Sequence, residues 1–515
     1  MLKSNILRGE LLSCLLIHYI YDIKAGIELK LKEIIANSKC EIVNGSSNID
    51  IKGIQQDSRK VSKDNMFVAI KGFTVDGHDY LQEAIENGAN CLVVQKDVEI
   101  DIGDITLIKV DSTIEALARF SSKYFKEPSK KLELIGVTGT NGKTSTTYLI
   151  KGIFEKNSQK TGLIGTLGSI IDGNVIDLKN TTPESLTIQD HLSKMVEVNT
   201  EYCAIEVSSH SLDLKRVEYC NFDIGIFTNL TEDHLDYHLN MENYYNSKLK
   251  LFDRTKKYNI INGDDPFGIR MIDDIKNPIP IITYGLNDKW DVYATDIKCH
   301  IKGVDFTLNT PKGSIPINLK LLGKFNIYNA LAAASCGIVY DVDLSIIKMG
   351  LESITGITGR FDTVPIDKDF SVIIDFAHTP DGLEKVLMTI DQFAEGRKIV
   401  IFGAGGNRDK AKRPIMGETV AKHADLCIVT SDNPRFENPE SIIKDIIVGV
   451  EKVKGKYIAI TDRRRAIEFA LSNAKSKDVI LLAGKGHETY TIIKDKVIPF
   501  DEKQIVLDIL NNLDK

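Results

Sequence analysis

Clustered cysteine is missing from this chain. Its eight cysteines, at positions 14, 40, 91, 203, 220, 299, 336 and 427, are scattered, with no C-x-x-C pair and no Cys/His group at zinc-ligand spacing. That excludes a disulfide-stapled or zinc-nucleated module and predicts reduced thiols in a cytoplasmic protein. Long apolar runs are missing too. No segment approaches the roughly 18 apolar residues that span a bilayer, and the nearest, Leu11 to Tyr21, is broken by His18. Lys3 and Arg8 precede that run as in a signal peptide, yet Tyr19 to Ala25 offers no small-x-small cleavage site, so neither secretion nor stable membrane insertion is expected. Charge of one sign is absent as well. The 65 Lys and Arg face 72 Asp and Glu for a net charge of −7, without long runs, which argues against a nucleic-acid partner or a membrane-surface patch. There is no internal repeat and no low-complexity segment.

What is present is an ordinary globular balance, 43% hydrophobic and 27% charged. At roughly 150 residues per domain, such a chain holds about three cores. Residues 29–128 mix strand-length runs (Met66 to Ile70, Cys91 to Val94, Thr106 to Val110) with helical spacing over His78 to Gly88 and Ser112 to Phe125, which reads as a small α/β domain. Glu127 to Lys131, Pro plus charge, reads as a linker. Residues 129–359 change pattern: Leu134 to Val137, Tyr202 to Val207, Phe222 to Phe227 and Tyr258 to Ile261 are apolar strands ending in polar loops, as in parallel βαβ units. A β-rich patch over about 290–322 and a helix from Lys324 to Val339 complete this middle domain. In 360–515, Val372 to Asp375, Ile399 to Phe402, Leu426 to Ser431, Tyr457 to Thr461 and Val479 to Ala483 alternate with helix-length segments, the pattern of an open doubly wound sheet. The expected fold class is therefore α/β in three domains.

Strand Leu134 to Val137 runs into Thr138-Gly139-Thr140-Asn141-Gly142-Lys143-Thr144 and a helix. The glycines let consecutive N–H groups face inward, the helix N-terminus adds its positive end, Lys143 reaches the β- and γ-phosphates, and Thr144 is placed to ligate Mg²⁺. The strict G-x-x-x-x-G-K-T spacing fails, since Val137 stands where the first Gly belongs, but strand, loop and helix fall in the required order. Glu206 ends the next apolar strand, where a P-loop fold needs an acidic group for Mg²⁺; the plainer reading is a surface carboxylate. His234 follows a third strand as a neutral nitrogen ligand, or as part of a helix start capped by Thr231 or Asp233. The three strand ends are expected to converge on one phosphate-and-metal site.

Thr138 to Thr144, Glu206-Val-Ser-Ser-His210, Asn229-Leu-Thr-Glu-Asp-His-Leu-Asp-Tyr-His238, Gly323-Lys-Phe-Asn-Ile-Tyr-Asn329 and Gly359-Arg-Phe-Asp362 together resemble the Mur ligases, ATP-dependent amide-bond-forming enzymes of peptidoglycan synthesis. The resemblance runs from about residue 29 to the C-terminus. Asp57-Ser58-Arg59, Asn180-Thr181-Thr182-Pro183, Asp432-Asn433-Pro434-Arg435 and Gly484-Lys485-Gly486-His487-Glu488 narrow it to the branch that adds diaminopimelate to the D-glutamate of UDP-N-acetylmuramoyl-L-alanyl-D-glutamate. The resemblance implies a monomeric cytoplasmic ligase serving cell-wall biogenesis, cell shape and cell division, with ATP and Mg²⁺. By resemblance the UDP sugar meets Ser58, Phe73, Thr74 and Val75, and the muramoyl dipeptide meets Asn180, Thr181, Thr182, Ser208 and Arg216. Glu206 and His234 hold one Mg²⁺, and Lys248, carbamylated to N6-carboxylysine, bridges to a second. Lys250 is a rival for that role, and Ser247 stands where the family commonly has Ala. Phe376 replaces a usual Tyr.

Asn326 and Asn329, three apart on one helix, are expected to read the adenine edge, or to form an ordinary polar face. Arg360 is placed to swing a cation onto the phosphates when domains close, and Asp375 to face the ribose. Gly403 to Asp409 lacks the third glycine of a dinucleotide loop; by resemblance to the ligases, Arg408 belongs to the amino-acid pocket. Arg435 supplies the fork-shaped cation that the distal carboxylate of diaminopimelate calls for and lysine does not, with Asp432, Asn433 and Pro434 beside it and Gly484 and Glu488 at the amines. The rival readings are a lysine-adding or folylpolyglutamate-type ligase, and a P-loop regulator that hydrolyses ATP without making a bond. Residues 1–28 fall outside the family pattern, and Leu29 stands where an initiator belongs, so the first stretch is expected to be an atypical extension or an upstream start.

Overall fold

The computed structural model describes residues 28–72, 75–300 and 303–513. Phe73, Thr74 and nearly all of the expected N-terminal extension lie outside the described residues. The chain divides into two compact units: one from residues up to 131 with 184–194 and 214–220, the other from 132–183, 195–213 and 221 onward.

In the first unit a five-stranded sheet runs Cys40–Asn44, Thr106–Val110, Ala89–Val94, Asn65–Val68, Gly53–Gln55, parallel except for its first pair. Side chains alternate between two cores, Met66, Val68, Cys91, Val93 and Ile108 on one face and Phe67, Leu92, Val94 and Leu107 on the other, because neighbouring residues of a strand point to opposite faces. Helix Thr113–Tyr124 covers the first face with Leu117 and Phe120, capped at its start by Ser112, whose Oγ accepts from the Glu115 N–H. The expected linker is a 3-10 turn, Pro128–Lys130, with Ser129 buried.

The second unit contains two large sheets, besides the two-stranded pair Tyr490–Ile493 and Lys496–Pro499. The larger has eleven strands, with Glu133–Thr138 lying between Tyr202–Glu206 and Phe222–Phe227, all parallel. Thr255–Asn262 and Ile281–Gly285 extend it in parallel, and Val292–His300, Gly303–Thr310 and Gly313–Leu319, the expected β-rich patch, close it as an antiparallel meander. On the other side Thr161–Gly165, Gly168–Ile171 and Asn174–Ile176 form further strands. Helices Lys143–Lys156 and Phe325–Val339 pack Leu149, Ile153, Leu331 and Ala334 onto this sheet.

The remaining sheet runs Asp362–Thr363, Ser371–Asp375, Val479–Ala483, Lys398–Phe402, Leu426–Val429, Tyr457–Ala459, parallel apart from the first pair. Val400 and Leu481 face the helices Pro380–Asp391, Lys412–His423 and Pro439–Lys452, while Ile399, Ile401, Ile480 and Leu482 face Arg463–Ser472 and Glu502–Leu513. That two-sided covering is the doubly wound arrangement expected, and it leaves the loops after the strands free to build a site.

Candidate active site

Strand Glu133–Thr138 ends in the phosphate loop at the centre of the large sheet. Gly139, at φ +150°, leaves no room for a Cβ, which would stand 1.8 Å from Thr228 Oγ1. Gly142, at φ +88°, would put one 2.3 Å from Asn329 Oδ1. The loop is thus pressed between the end of strand Phe222–Phe227 and helix Phe325–Val339. Thr228 Oγ1 donates to Asn141 O at 2.7 Å, and the Asn141 N–H donates to Asn229 Oδ1 at 2.9 Å.

Three cations meet at this loop. Lys143 Nζ donates to the Gly139 and Thr140 carbonyls at 2.9 and 2.8 Å, Lys248 Nζ donates to the same Gly139 carbonyl at 2.9 Å, and Arg360 Nη2 donates to Thr144 Oγ1 at 3.2 Å. Lys248 is buried, its ammonium 4.5 Å from the Tyr244 ring centroid. Burial, and then the charge of Lys143, holds its pKa well below that of an ordinary lysine. Burial also lowers Lys143, with Arg360 adding to the effect against the pull of Glu206. Three crowded cations in a dry site are poorly solvated alone and favour a polyanion.

Glu206, 1% exposed, accepts from Thr144 Oγ1 at 3.0 Å, from the Thr166 N–H at 2.9 Å and from Thr166 Oγ1 at 3.0 Å. Thr166 Oγ1 also lies 3.1 Å from Thr181 Oγ1. Thr182 Oγ1 donates to Glu206 O at 2.7 Å and accepts from the Ser208 N–H at 3.0 Å. His234 takes the left-handed conformation at φ +55° and is itself the N-cap of helix Leu235–His238, so the cap is neither Thr231 nor Asp233. Asp233 instead accepts the His234 N–H at 2.9 Å, and burial drives the His234 pKa down to about 3, leaving a neutral imidazole.

Asn326 and Asn329 are both buried, with their donors turned inward: Asn326 Nδ2 donates to Leu322 O and Asn329 Nδ2 to Asn326 Oδ1, each at 2.8 Å. Asp375 caps its own loop, accepting from the Phe361 and Ala377 N–H groups at 2.7 Å each, and burial raises its pKa. The Phe376 ring lies under the Arg360 guanidinium, 4.8 Å from its carbon.

One cavity of about 930 Å³ is lined both by the phosphate loop and by the loops of the C-terminal sheet, among them Arg408, Asp432, Asn433, Arg435, Gly484 and Glu488. Pro434 is not in the lining; its carbonyl packs against Gly406, where a Cβ would stand 1.9 Å away. Arg435, at φ +50°, anchors Nη1 on Gly406 O at 3.0 Å. Asn433 Nδ2 donates to Glu488 Oε2 at 2.8 Å. Lys485, overlooked in the sequence although it lies inside a quoted motif, is fully buried between Asp432 at 3.6 Å and Glu488 at 3.8 Å and donates to Tyr490 O at 2.8 Å. His378, His487 and Asp381 were also passed over; they line or border the cavity from loops and a helix start whose placement depends on the sheet, which local spacing does not reveal.

In the first unit, Ser58 is buried and its hydroxyl donates to Glu83, Val75 is exposed, and Arg216 pairs with Glu184 at 2.7 Å.

A phosphate loop that shares its cavity with a second, charged pocket defines a nucleotide-dependent enzyme with a further substrate. The chain belongs to the Mur ligase family. The family's middle domain matches residues 137–337, the Mur ligase glutamate ligase domain residues 359–486, and a segment described as the family's catalytic domain residues 50–125. The UDP-N-acetylmuramoyl-L-alanyl-D-glutamate–2,6-diaminopimelate ligases of Caldanaerobacter subterraneus and Clostridioides difficile are each 47% identical over 487 residues, covering 95% and 94% of this chain and all of theirs. A solved structure of a ligase of that name superposes with a TM-score of 0.66 at 30% identity, covering 95% of this chain and 99% of that one. Mycobacterium tuberculosis folylpolyglutamate synthase bound to ADP shares the fold at a TM-score of 0.60 and 16% identity, over 72% of this chain and 91% of its own.

Proposed function

We propose that this chain is an ATP-dependent ligase that adds diaminopimelate to the D-glutamate of UDP-N-acetylmuramoyl-L-alanyl-D-glutamate in peptidoglycan synthesis. The observation that carries the reading is the shared cavity, in which Lys143, Lys248 and Arg360 surround a phosphate loop and Arg435 and Glu488 offer a fork-shaped cation and a carboxylate. The family relation and the 47% identity to ligases of that name support it.

In this reading the glutamyl carboxylate attacks the γ-phosphorus of ATP, ADP leaves, and an acyl phosphate forms. The amine of diaminopimelate then attacks the acyl carbon, the C–N bond forms, the bond from that carbon to the phosphate oxygen breaks, phosphate departs and the amine nitrogen gives up a proton. No enzyme nucleophile is required; positioning and charge neutralisation by Lys143 and Arg360 are. Asn326 and Asn329 support the nucleotide end, and Asp375 fixes the loop that carries Arg360. Arg435 and Arg408 take the distal carboxylate, and Glu488, Asp432, Asn433 and Gly484 the amino groups.

The residues present suit Mg²⁺. Thr144 Oγ1 and a Glu206 carboxylate oxygen lie 3.0 Å apart, and oxygen donors with a neutral imidazole match a cation that retains water and phosphate oxygens. Among the described residues no group of three His, Cys, Asp or Glu gathers as a cage, so substrate and water would complete the shell. Thr144, Glu206 and His234 would hold one ion and a carbamylated Lys248 a second, and bound there they would neutralise the transferring phosphoryl group. Lys248 suits carbamylation because it is buried and burial holds its pKa well below that of an ordinary lysine, whereas Lys250 pairs in the open with Asp213 at 2.7 Å.

The working divisions are 29–128 for the UDP sugar, where Ser58 and Val75 lie, 129–359 for ATP and 360–515 for the amine. We place the enzyme in the cytoplasm as a monomer. No helix among the described residues is long and apolar enough to cross a membrane.

The test is phosphate release from ATP with the muramoyl dipeptide and, in turn, diaminopimelate, lysine or glutamate. Turnover with diaminopimelate alone is expected. Turnover with lysine alone would overturn the reading of Arg435, and release without any amine would point to a P-loop hydrolase.

A further inference from the structure

Four contacts tie the C-terminal sheet to the phosphate-loop region. Arg360 with Thr144 at 3.2 Å and Arg408 with Asp236 at 3.8 Å use groups already assigned to substrate or metal, and Lys412 with Asp233 at 3.9 Å borders His234. The fourth joins the phosphate loop to a residue with no such assignment. Asp381, in the first turn of helix Pro380–Asp391, accepts from Asn141 Nδ2 at 2.7 Å and from Thr231 Oγ1 at 3.3 Å. Asn141 lies in the phosphate loop itself, where its backbone is already held by Thr228 and Asn229. Its side-chain amide therefore remains to report on the other sheet.

A carboxylate beside a triphosphate site is electrostatically unfavourable, so its presence asks for a reason. Two features offset the cost. Lys385, one turn on, pairs with the same oxygen at 2.8 Å, and the helix N-terminus favours an acidic residue in its first turn. The remaining donors to that oxygen belong to the phosphate loop and to the loop after strand Phe222–Phe227, on the large sheet.

We propose that Asp381 is a positioning residue, a latch that holds the C-terminal amine pocket against the phosphate loop independently of any ligand. The role rests on the ligase reading in one respect: the amine pocket must approach the acyl phosphate for the C–N bond to form. The latch sets how often the two halves of the site stand together, and so acts on use of the amine more than on capture of ATP.

The experiment compares wild type with Asp381→Ala, Asp381→Asn and Asp381→Glu. In Asp381→Ala the KM for diaminopimelate should rise about tenfold, the fraction of molecules competent for the second substrate having fallen by that factor, while the KM for ATP changes less than about twofold. Small-angle scattering of the ligand-free protein should show a larger radius of gyration for Asp381→Ala and a wild-type one for Asp381→Glu, which should also recover most of the activity. Wild-type scattering and a wild-type diaminopimelate KM in Asp381→Ala would overturn the proposal, as would equal losses for both substrates. Should Asp381→Ala fail to fold, Asp381→Asn, which keeps the shape but offers an uncharged amide oxygen in place of the carboxylate, should move both readouts in the same direction by a smaller amount, and wild-type values for both would overturn the proposal. If wild type itself releases no phosphate in response to diaminopimelate, the ligase reading fails, and the scattering of the variants still judges the latch.

Discussion

Two residues apart at the end of one helix, Lys248 and Lys250 meet opposite surroundings. Lys250 is solvated beside Asp213, an exposed pair worth little. Lys248 is buried against Tyr244 and Gly139 O, with no carboxylate bonded to it among the described residues. A lysine whose pKa burial lowers is the more ready nucleophile toward CO₂, and protonation competes with that reaction. Lys248→Ala should therefore lower kcat by at least about a hundredfold, since a ligand to the phosphoryl site is lost, and added bicarbonate or chloride should restore part of it. Labelled bicarbonate should give a carbamate carbon signal in wild type that fades as pH falls and is missing in the variant. Arg435 is the corresponding test in the amine pocket. Arg435→Ala should raise the KM for diaminopimelate by a charge-assisted contact, about 1.5–3 kcal/mol, and leave the KM for ATP unchanged. Lys248 was singled out by resemblance and Arg435 by the fork-shaped cation that a distal carboxylate calls for. Lys485 was not, because a lysine between two glycines carries no sign that the fold will bury it between Asp432 and Glu488.

Among the elements, the phosphate loop owes its shape to neighbours far along the chain. Asn329, on helix Phe325–Val339, occupies the space where a Cβ on Gly142 would go. Gly142→Ala adds backbone strain at positive φ to that collision, so it should cost about 1–3 kcal/mol of stability and raise the KM for ATP; thermal unfolding and ATP titration of the purified variant check both. The strands that feed this loop were legible. Phe222–Phe227 and Val479–Ala483 fall where apolar runs placed them, because a strand buried on both faces reads as an unbroken hydrophobic stretch. The strands Thr161–Gly165, Gly168–Ile171 and Ile281–Gly285 went unread: the first two are short, glycine-containing and turn back antiparallel, and the third leads into no helix. The inward-turned amides of Asn326 and Asn329 were equally invisible, since spacing gives a shared face but not a bonding partner.

For the whole molecule, buried histidines set the acid limit. His191 and His487 each have a pKa driven down from 6.5 to about 4, chiefly by burial, and His191 Nδ1 has no hydrogen-bond partner among the described residues. An unfolded chain takes up their protons near 6.5, while the folded chain resists until about 4. Between those values the unfolded state binds more protons, so stability is complete above 6.5 and drains away as pH falls toward 4. Tm measured from pH 7.5 downward, at about half-unit steps, should fall through that window, and His191→Leu should flatten the fall.

The way the two units share the chain has a consequence for synthesis. The first unit takes residues 184–194 and 214–220 as well as those up to 131, and Leu186 from the later segment packs against the core that holds Leu117 and Phe120. On the ribosome that unit therefore lacks part of its packing until residue 220 has emerged. By then the phosphate loop and its neighbouring strand have been made, so the nascent chain closes its first unit only after the second has begun. A gene fragment ending at Pro128 would encode an unsealed core.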